Sequence, residues 1–222
     1  MVITHHGGQC FKVTLGDLTV VFDPIAKGGT LSPVRFGADI ALISRNPPDM
    51  NGVEEVTYGE KVPFVVSGPG EYERQGVIVQ GFFSHSMYGL AKGQAEAVNT
   101  IYMVELEDMK LVHLGALSDK ELSKEARESI DEIDILFVPV GGEGVLTPAA
   151  AHELAVSLEP KIIVPMHWSR GGTSEGTQGI GQPKALEMFL KEAGSGSEKV
   201  DKLTLKKKDL VGKDGSILVI TP

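Results

Sequence analysis

The character of the strand and turn signals changes halfway along this chain, and that change constrains the fold more than any other feature of the sequence. In the first half, short runs rich in β-branched residues follow one another; the first two, 10–15 and 18–22, flank the turn signal Gly16-Asp17. In the second half, wholly apolar runs such as 135–139 alternate with helical periodicity. Each half must bury a sheet face, which predicts two packed sheets with helices outside.

Three helices are predicted in the second half. The sequence Ser118-Asp119-Lys120-Glu121 has the form of a capping box and predicts a helix starting there. Thr147-Pro148 predicts the start of a second helix, and a third is predicted from Pro183 to a stop at Gly194. Further strands are predicted at 40–43, 64–67, 77–82, 100–106, 110–114, 162–165, 202–205 and 216–220. We find no internal repeat and predict a single domain over residues 1–222.

The composition favours a soluble protein, and we expect its substrate or ligand to be a small molecule. A net charge of −9 and a pI near 5.2 disfavour a nucleic-acid partner, which needs a basic surface. No apolar run approaches the roughly 20 residues that span a bilayer, and the N-terminus does not resemble a signal peptide. The single cysteine, Cys10, fits a reducing compartment. We therefore expect a cytoplasmic protein with no membrane partner; the sequence leaves the oligomeric state open.

Five short motifs, in this order and with these strands before them, resemble the small UlaG-like branch of the metallo-β-lactamase superfamily. They are His6-Gly7-Gly8-Gln9-Cys10-Phe11, Phe22-Asp23-Pro24, Gly68-Pro69-Gly70-Glu71-Tyr72-Glu73, His113-Leu114-Gly115-Ala116 and Val164-Pro165-Met166-His167-Trp168. The resemblance spans nearly the whole chain. It implies an α+β fold, a four-layer αββα sandwich of two mixed sheets with outer helices, and a site among the loops at one edge of the sheets.

The ligands that this family uses for metal are largely replaced here. The family holds zinc or a similar ion with His and Asp, which lowers the pKa of bound water to about 7. In its His-x-His-x-Asp-His frame, Arg45 and Pro47 fall on the first two histidines and Met50 on the last. Ala116 stands where a bridging aspartate is expected, and Gly8 where a histidine is common. Because these side chains are poor or impossible zinc ligands, the usual two-metal site cannot be assembled.

Three residues remain compatible with family ligands, namely Asp49, His85 and His167. The resemblance implies that they bind one zinc or other divalent ion. The alternative is that the chain binds no ion. The resemblance also implies catalytic roles for His167, Asp49 and His113. Each has a plainer interpretation: Asp49 as a turn cap, His85 as a surface residue, and His113 or His167 as a hydrogen-bonded structural histidine.

Arg45, Glu71 and His6 are candidate substrate-binding residues. If Arg45 points into the old metal cleft, its fixed charge substitutes for a metal and binds a carboxylate or phosphate; the alternative is a salt bridge to Asp49. Glu71 alternates with Glu73 on an extended segment, so only one of them faces a cleft. His6 lies near the site in the resemblance.

Three functions stay open at this level. The first is a hydrolase with a reduced metal site, acting weakly or promiscuously on ester, phosphoester or lactam-type bonds. The second is a non-catalytic binding or regulatory protein that uses Arg45 and the glycine-rich loop 169–182. The third is a metal-free hydrolase with His167 or His113 as general base. The resemblance favours the first, although fold alone does not fix function.

Overall fold

The protein folds into two mixed β-sheets packed face to face, with three α-helices. The structure is a computed structural model that describes residues 1–91, 93–169, 180–182, 184–194 and 196–222. Most of the predicted glycine-rich loop, residues 170–179, therefore lies outside the described residues, as does Pro183. Among the described residues, no helix is long and apolar enough to cross a membrane.

Strands run through both halves of the chain, and the α-helices of the described residues lie in the second half, as the sequence predicts. The strands are β1 Val2–His5, β2 Phe11–Leu15, β3 Leu18–Phe22, β4 Ile40–Leu42, β5 Phe64–Val66, β6 Gly70–Arg74, β7 Val77–Ser86, β8 Ala97–Leu106, β9 Met109–His113, β10 Ile135–Pro139, β11 Ile162–Met166, β12 Glu198–Val200, β13 Leu203–Thr204 and β14 Ser216–Ile220. The helices are α1 Lys124–Ser129, α2 Pro148–Ser157 and α3 Ala185–Ala193.

The two sheets together confirm the predicted fold class. One sheet has six strands in the order β13-β1-β2-β3-β4-β5, and the other has eight in the order β12-β14-β11-β10-β9-β8-β7-β6. Strands β3, β4 and β5 are parallel, as are β9, β10, β11 and β14, whereas the hairpin strands are antiparallel. The main core lies between the sheets and includes Phe11, Phe22 and Phe137.

The two outer faces are covered differently. The helices α1, α2 and α3 cover the eight-stranded sheet, where Ala126, Leu154 and Phe189 are buried. The six-stranded sheet is covered mainly by the irregular segment 25–38 and by a short 3-10 helix at Val53–Val56. That segment is rich in Gly and Pro, which disfavour a regular helix.

The predicted start of the first helix was wrong by several residues. Helix α1 begins after Ser123, whose side chain accepts a hydrogen bond from the Ala126 amide. Asp119 instead accepts from the amide of Glu121, and the Ser118 amide donates to the carbonyl of His85. These local bonds compete with a helical turn, so the capping-box pattern at 118–121 forms a loop.

Candidate functional site

The ends of the parallel strands bring the quoted motifs together at one edge of the sandwich. Asp23 follows β3, Ser44 follows β4, Gly115 follows β9 and His167 follows β11. A side chain at Gly115 would lie within 2.7 Å of the Ser44 hydroxyl, which shows how closely the loops of the two sheets approach. This edge is where the family resemblance places its site.

His167 is the candidate residue best placed for chemistry. It is fully buried and adopts a left-handed backbone conformation with φ 56°, which costs free energy and is concentrated at functional sites. Its backbone amide donates to the carbonyl of Gly8 at 2.9 Å. A side chain at Gly141 would overlap the carbonyl of His167, so glycine is required there.

Gln9, which the sequence reasoning did not single out, sets the state of the His167 ring. The amide N–H of Gln9 donates to Nδ1 of His167, so the ring proton is assigned to Nε2. Nε2 of His167 and Oε1 of Gln9 are buried and have no hydrogen-bond partner among the described residues. Buried unpaired polar atoms cost about 1–3 kcal/mol each, so this pair is suited to a ligand that carries both an acceptor and a donor.

Burial also fixes the charge of His167. Desolvation lowers the pKa of its imidazole to about 3. The ring of Tyr88 packs edge-on against it, with 4.7 Å between ring centroids. At neutral pH His167 is therefore a neutral hydrogen-bond donor and a poor general base.

His113 is a structural histidine in this fold. It is fully buried and stacks on Phe22 with 4.7 Å between ring centroids. Its Nδ1 accepts from the Gly115 amide at 3.2 Å and its Nε2–H donates to the Gln9 carbonyl at 2.9 Å, so both nitrogens are used. Desolvation lowers its pKa to about 3. The structure therefore gives it no free atom for the predicted catalytic role, and it positions the backbone of Gln9.

Asp23 is a second buried polar residue that the sequence reasoning quoted only within a motif. Its carboxyl accepts from the amide and the hydroxyl of Ser44, each at 2.7 Å. Burial raises its pKa to about 7, while the bonds from Ser44 oppose that shift. Asp23 joins the ends of β3 and β4 and so holds the six-stranded side of the site.

Asp49 is occupied by a loop contact. Its Oδ1 accepts from the amide of Leu31 at 2.9 Å, and a side chain at Gly29 would overlap the same oxygen. Asp49 therefore caps a backbone amide, as its plainer interpretation predicts, but the amide belongs to the loop around Leu31 and not to its own turn. This contact uses Oδ1 alone, and the metal-ligand and catalytic roles of Asp49 stay predictions.

Arg45 is held by hydrogen bonds to the end of β7 and to the residues after it, and its predicted role in binding an anion stays a prediction. Its Nη1 donates to the carbonyl of Tyr88 and to the hydroxyl of Ser86, at 3.2 Å for the latter. Among the described residues it forms no salt bridge with Asp49. The guanidinium is half-buried and anchors the segment that follows β7.

The remaining candidates lie at the surface. His85 is on β7, longer than predicted, and its Nδ1 lies 3.3 Å from a carboxylate oxygen of Glu96. Glu71 is exposed on the edge strand β6, and His6 is exposed with its Nε2 3.3 Å from the Thr4 hydroxyl. These positions do not bring His85, Glu71 and His6 to the buried ring of His167.

The residues described do not fit the metal centre of the family. They contain no group of three or more His, Cys, Asp or Glu side chains placed to hold an ion, so Asp49, His85 and His167 are not brought together. In the assigned tautomer, His167 presents an N–H rather than a lone pair. Met50 and Ala116, at two expected ligand positions, are buried in a small apolar cluster with Val145, against which Tyr88 packs.

Comparison with known proteins agrees with the motifs and the fold. A family model described as the β-lactamase superfamily domain matches residues 2–167. A UPF0173 metal-dependent hydrolase of Enterococcus faecalis is 25% identical over 198 residues, covering 76% of this chain and 87% of that protein. A UPF0173 metal-dependent hydrolase of Bacillus subtilis, YtkL, is 24% identical over 200 residues, covering 76% and 86%.

Solved structures show the same likeness over the full length. A metallo-β-lactamase superfamily protein of Thermotoga maritima has a TM-score of 0.74 and 29% identity, covering 99% of this chain and 97% of that one. Igni18, a metallo hydrolase of Ignicoccus hospitalis, has a TM-score of 0.62 and 16% identity, covering 100% and 95%. At that lower identity the likeness concerns the fold alone.

Proposed function

The chain belongs to the metallo-β-lactamase superfamily, and on that premise we propose that it is a hydrolase with a reduced active site centred on His167. The observation that carries the proposal is the buried pair formed by Nε2 of His167 and Oε1 of Gln9, neither of which has a hydrogen-bond partner in the part of the chain that the structure describes. Relatives named metal-dependent hydrolases support the reaction class. We propose esters, phosphoesters or lactams as the bonds attacked, at low or promiscuous rates.

The geometry favours one chemical role for His167 over the alternatives. A neutral imidazole held by Gln9 presents a preorganised N–H, which stabilises negative charge developing on a carbonyl or phosphoryl oxygen. A general-base role is disfavoured because the pKa of about 3 is far below neutral pH. Water would be the nucleophile, and the lack of an efficient base accounts for a low rate.

The names of the relatives favour a divalent ion as cofactor. In this chain His167 would have to offer that ion a lone pair on Nε2, which requires Gln9 to rotate its amide and accept from Nδ1–H. One ligand does not make a stable site, which in proteins usually has three or more. We therefore derive no catalytic step through a metal.

Access to His167 requires movement of its cover. His167 is fully buried and the Tyr88 ring lies against it. We therefore expect that a substrate reaches Nε2 after a movement of the surrounding residues, Tyr88 among them, which is a second reason to expect slow turnover.

The test is hydrolysis of chromogenic esters, phosphodiesters and a chromogenic β-lactam by tag-free protein. We expect measurable turnover that falls about 100-fold in His167→Ala, the usual cost of losing one oxyanion donor. His152→Ala is the matched control, because His152 lies on the outer helix α2 away from the site. Turnover that is equal in the two variants would refute the proposed site.

A second function is favoured by one specific observation. The apolar cluster that contains Met50 and Ala116 fills two expected ligand positions, as expected of a superfamily member that binds a small polar ligand without hydrolysing it. No turnover on any substrate, together with a rise in Tm on adding a carboxamide or carboxylate that is lost in Gln9→Leu, would favour this function.

A further inference from the structure

Four loops at the site edge meet in a small apolar cluster. The Tyr88 cluster, as we define it, consists of Met50, Ala116, Val145 and Tyr88. Met50 and Ala116 are fully buried and Val145 is 5% exposed. Each residue comes from a different connection, after β4, β9, β10 and β7 respectively. The cluster therefore joins both sheets at the edge where the strands end.

Polar contacts fasten the Tyr88 segment to this cluster. Arg45 donates to the Tyr88 carbonyl, and the Ser86 hydroxyl accepts from both Arg45 and the Tyr88 amide. The Met87 amide donates to the carbonyl of Gly144 at 3.2 Å. A side chain at Gly144 would come within 2.7 Å of the Met87 backbone, so the two loops are in direct contact.

The Ala116 loop is also fixed from the opposite side. The Ala116 amide donates to Oδ1 of Asn99 at 2.8 Å, and the Asn99 amide group donates to the Leu114 carbonyl at 3.0 Å. The Leu146 amide donates to the Leu117 carbonyl at 2.8 Å. The backbone around Ala116 and Val145 is thereby hydrogen-bonded, and the small side chain of Ala116 leaves room for its neighbours.

Three of the residues in this arrangement stand where the family resemblance expects metal ligands. Arg45 and Met50 fall in the histidine frame, and Ala116 falls at the bridging aspartate. In the structure one of them supplies a fixed cation that ties down a loop, and the other two supply apolar surface. All three replacements therefore serve the same contact between loops.

We propose that the Tyr88 cluster, tied by Arg45, replaces a metal centre as the joint that holds the four loops together. Apolar packing and hydrogen bonds at the cluster stabilise the arrangement of the loops, as metal–ligand bonds do in a metalloprotein. The fold is then complete without an ion. This inference does not rest on the proposed hydrolysis, because it concerns what holds the loops and not what they catalyse.

The first test needs no variant. Thermal unfolding of tag-free full-length protein is measured after EDTA treatment, and again with added zinc chloride. We expect Tm to change by less than about 1 °C in either case, because no ion that binds the folded state is gained or lost. A fall of several degrees in EDTA that zinc reverses would overturn the proposal.

The second test removes the central side chain of the cluster. Met50→Ala is compared with Met109→Ala, a fully buried methionine of the main core between the sheets. Each variant is expected to lose roughly 5 °C or more in Tm, since each leaves a cavity. Hydrogen exchange distinguishes them: both variants should raise exchange in the core strand 135–139, which opens only on global unfolding, but only Met50→Ala should raise exchange in segments 86–91 and 143–147 by about tenfold or more.

The exchange result decides the matter. Faster exchange in those loops that occurs in Met50→Ala and not in Met109→Ala means that the cluster holds them. The same exchange pattern in both variants would mean that Met50 contributes only to global stability, and the proposal would fail. Loss of hydrolysis in His167→Ala with unchanged loop exchange leaves the proposal intact, so its failure and that of the proposed function are distinguishable.

Discussion

Replacing Asp23 by asparagine should change how stability depends on pH. The Asp23 carboxyl is fully buried between Ser44 and the core, and burial raises its pKa to about 7 against an ordinary value of 3.8. The folded state therefore keeps the proton up to about pH 7, whereas the unfolded chain releases it near pH 4. As pH rises through that interval the free energy of unfolding must fall, because the unfolded state alone gains from ionisation.

The size of the effect follows from the two pKa values. The difference between about 7 and 3.8 corresponds to roughly 4 kcal/mol, at about 1.4 kcal/mol for each pH unit. Asp23→Asn cannot ionise, so it avoids this loss, although it weakens the bond from the Ser44 hydroxyl at a cost of about 1 kcal/mol. We expect the variant to be slightly less stable than wild type at pH 4.5 and more stable by a few kcal/mol at pH 8.

Urea unfolding followed by circular dichroism between pH 4.5 and 8 measures this crossover. At each pH the free energy of unfolding of the variant is compared with that of the wild type. The contributions of the other carboxyl groups are the same in both proteins and cancel in this difference. Asp17→Asn, at an exposed hairpin turn, is the matched control and should give a flat difference. A flat difference for Asp23→Asn as well would show that Asp23 is ionised in the folded state and would refute the reasoning.

Three further predictions concern His167, a loop contact of Asp49, and a buried carboxylate before β10, away from the site. The turnover of any substrate hydrolysed at His167 should show no inflection near pH 6.5, because its pKa is lowered to about 3; a pH–rate profile from 5 to 9 checks this, and an inflection that disappears in His167→Ala would contradict it. Gly29→Ala should destabilise the protein by about 1–3 kcal/mol, because the new side chain overlaps the Asp49 oxygen that holds the loop; urea unfolding measures it, and an unchanged midpoint would count against the contact. Asp134→Asn should cost about 1–3 kcal/mol, because the fully buried carboxylate accepts from Lys161 at 2.6 Å and the lysines are partly exposed; loss of the effect in 1 M salt would show that the pair behaves as a surface contact.

Local pattern was sufficient for most of the fold. Alternation and β-branched runs gave the strands of the hairpin half, and wholly apolar runs gave β10 and β11, because these patterns follow directly from which faces are buried. The edge strands β6 and β12, and the inner strand β1, were not predicted. Strand β6 is short and largely exposed, so no burial pattern marks it. The predictions of a single domain, a cytoplasmic location and a small-molecule partner stay predictions.

The site was harder to predict because its polar residues act through partners distant in sequence. His167 was identified from its place after a buried strand, but its state depends on Gln9, 158 positions earlier. Gln9 lies in a quoted motif and its amide carries no charge, so nothing marked it. Arg45 was recognised as a replacement, yet its contact with Tyr88 depends on how β7 ends, which spacing does not reveal. His85 is exposed, as its plainer interpretation predicted, but it lies on a strand because β7 extends past the predicted end at 82 to Ser86.

Metal content measured on protein purified without an affinity tag or added metal tests the central claim most directly. We expect far less than one zinc, iron or manganese ion per chain, with no increase after incubation with excess zinc and removal of free metal. About one or two ions per chain, lost in His167→Ala and retained in His152→Ala, would contradict it. That result would mean that the metal centre persists and that the Tyr88 cluster has not replaced it.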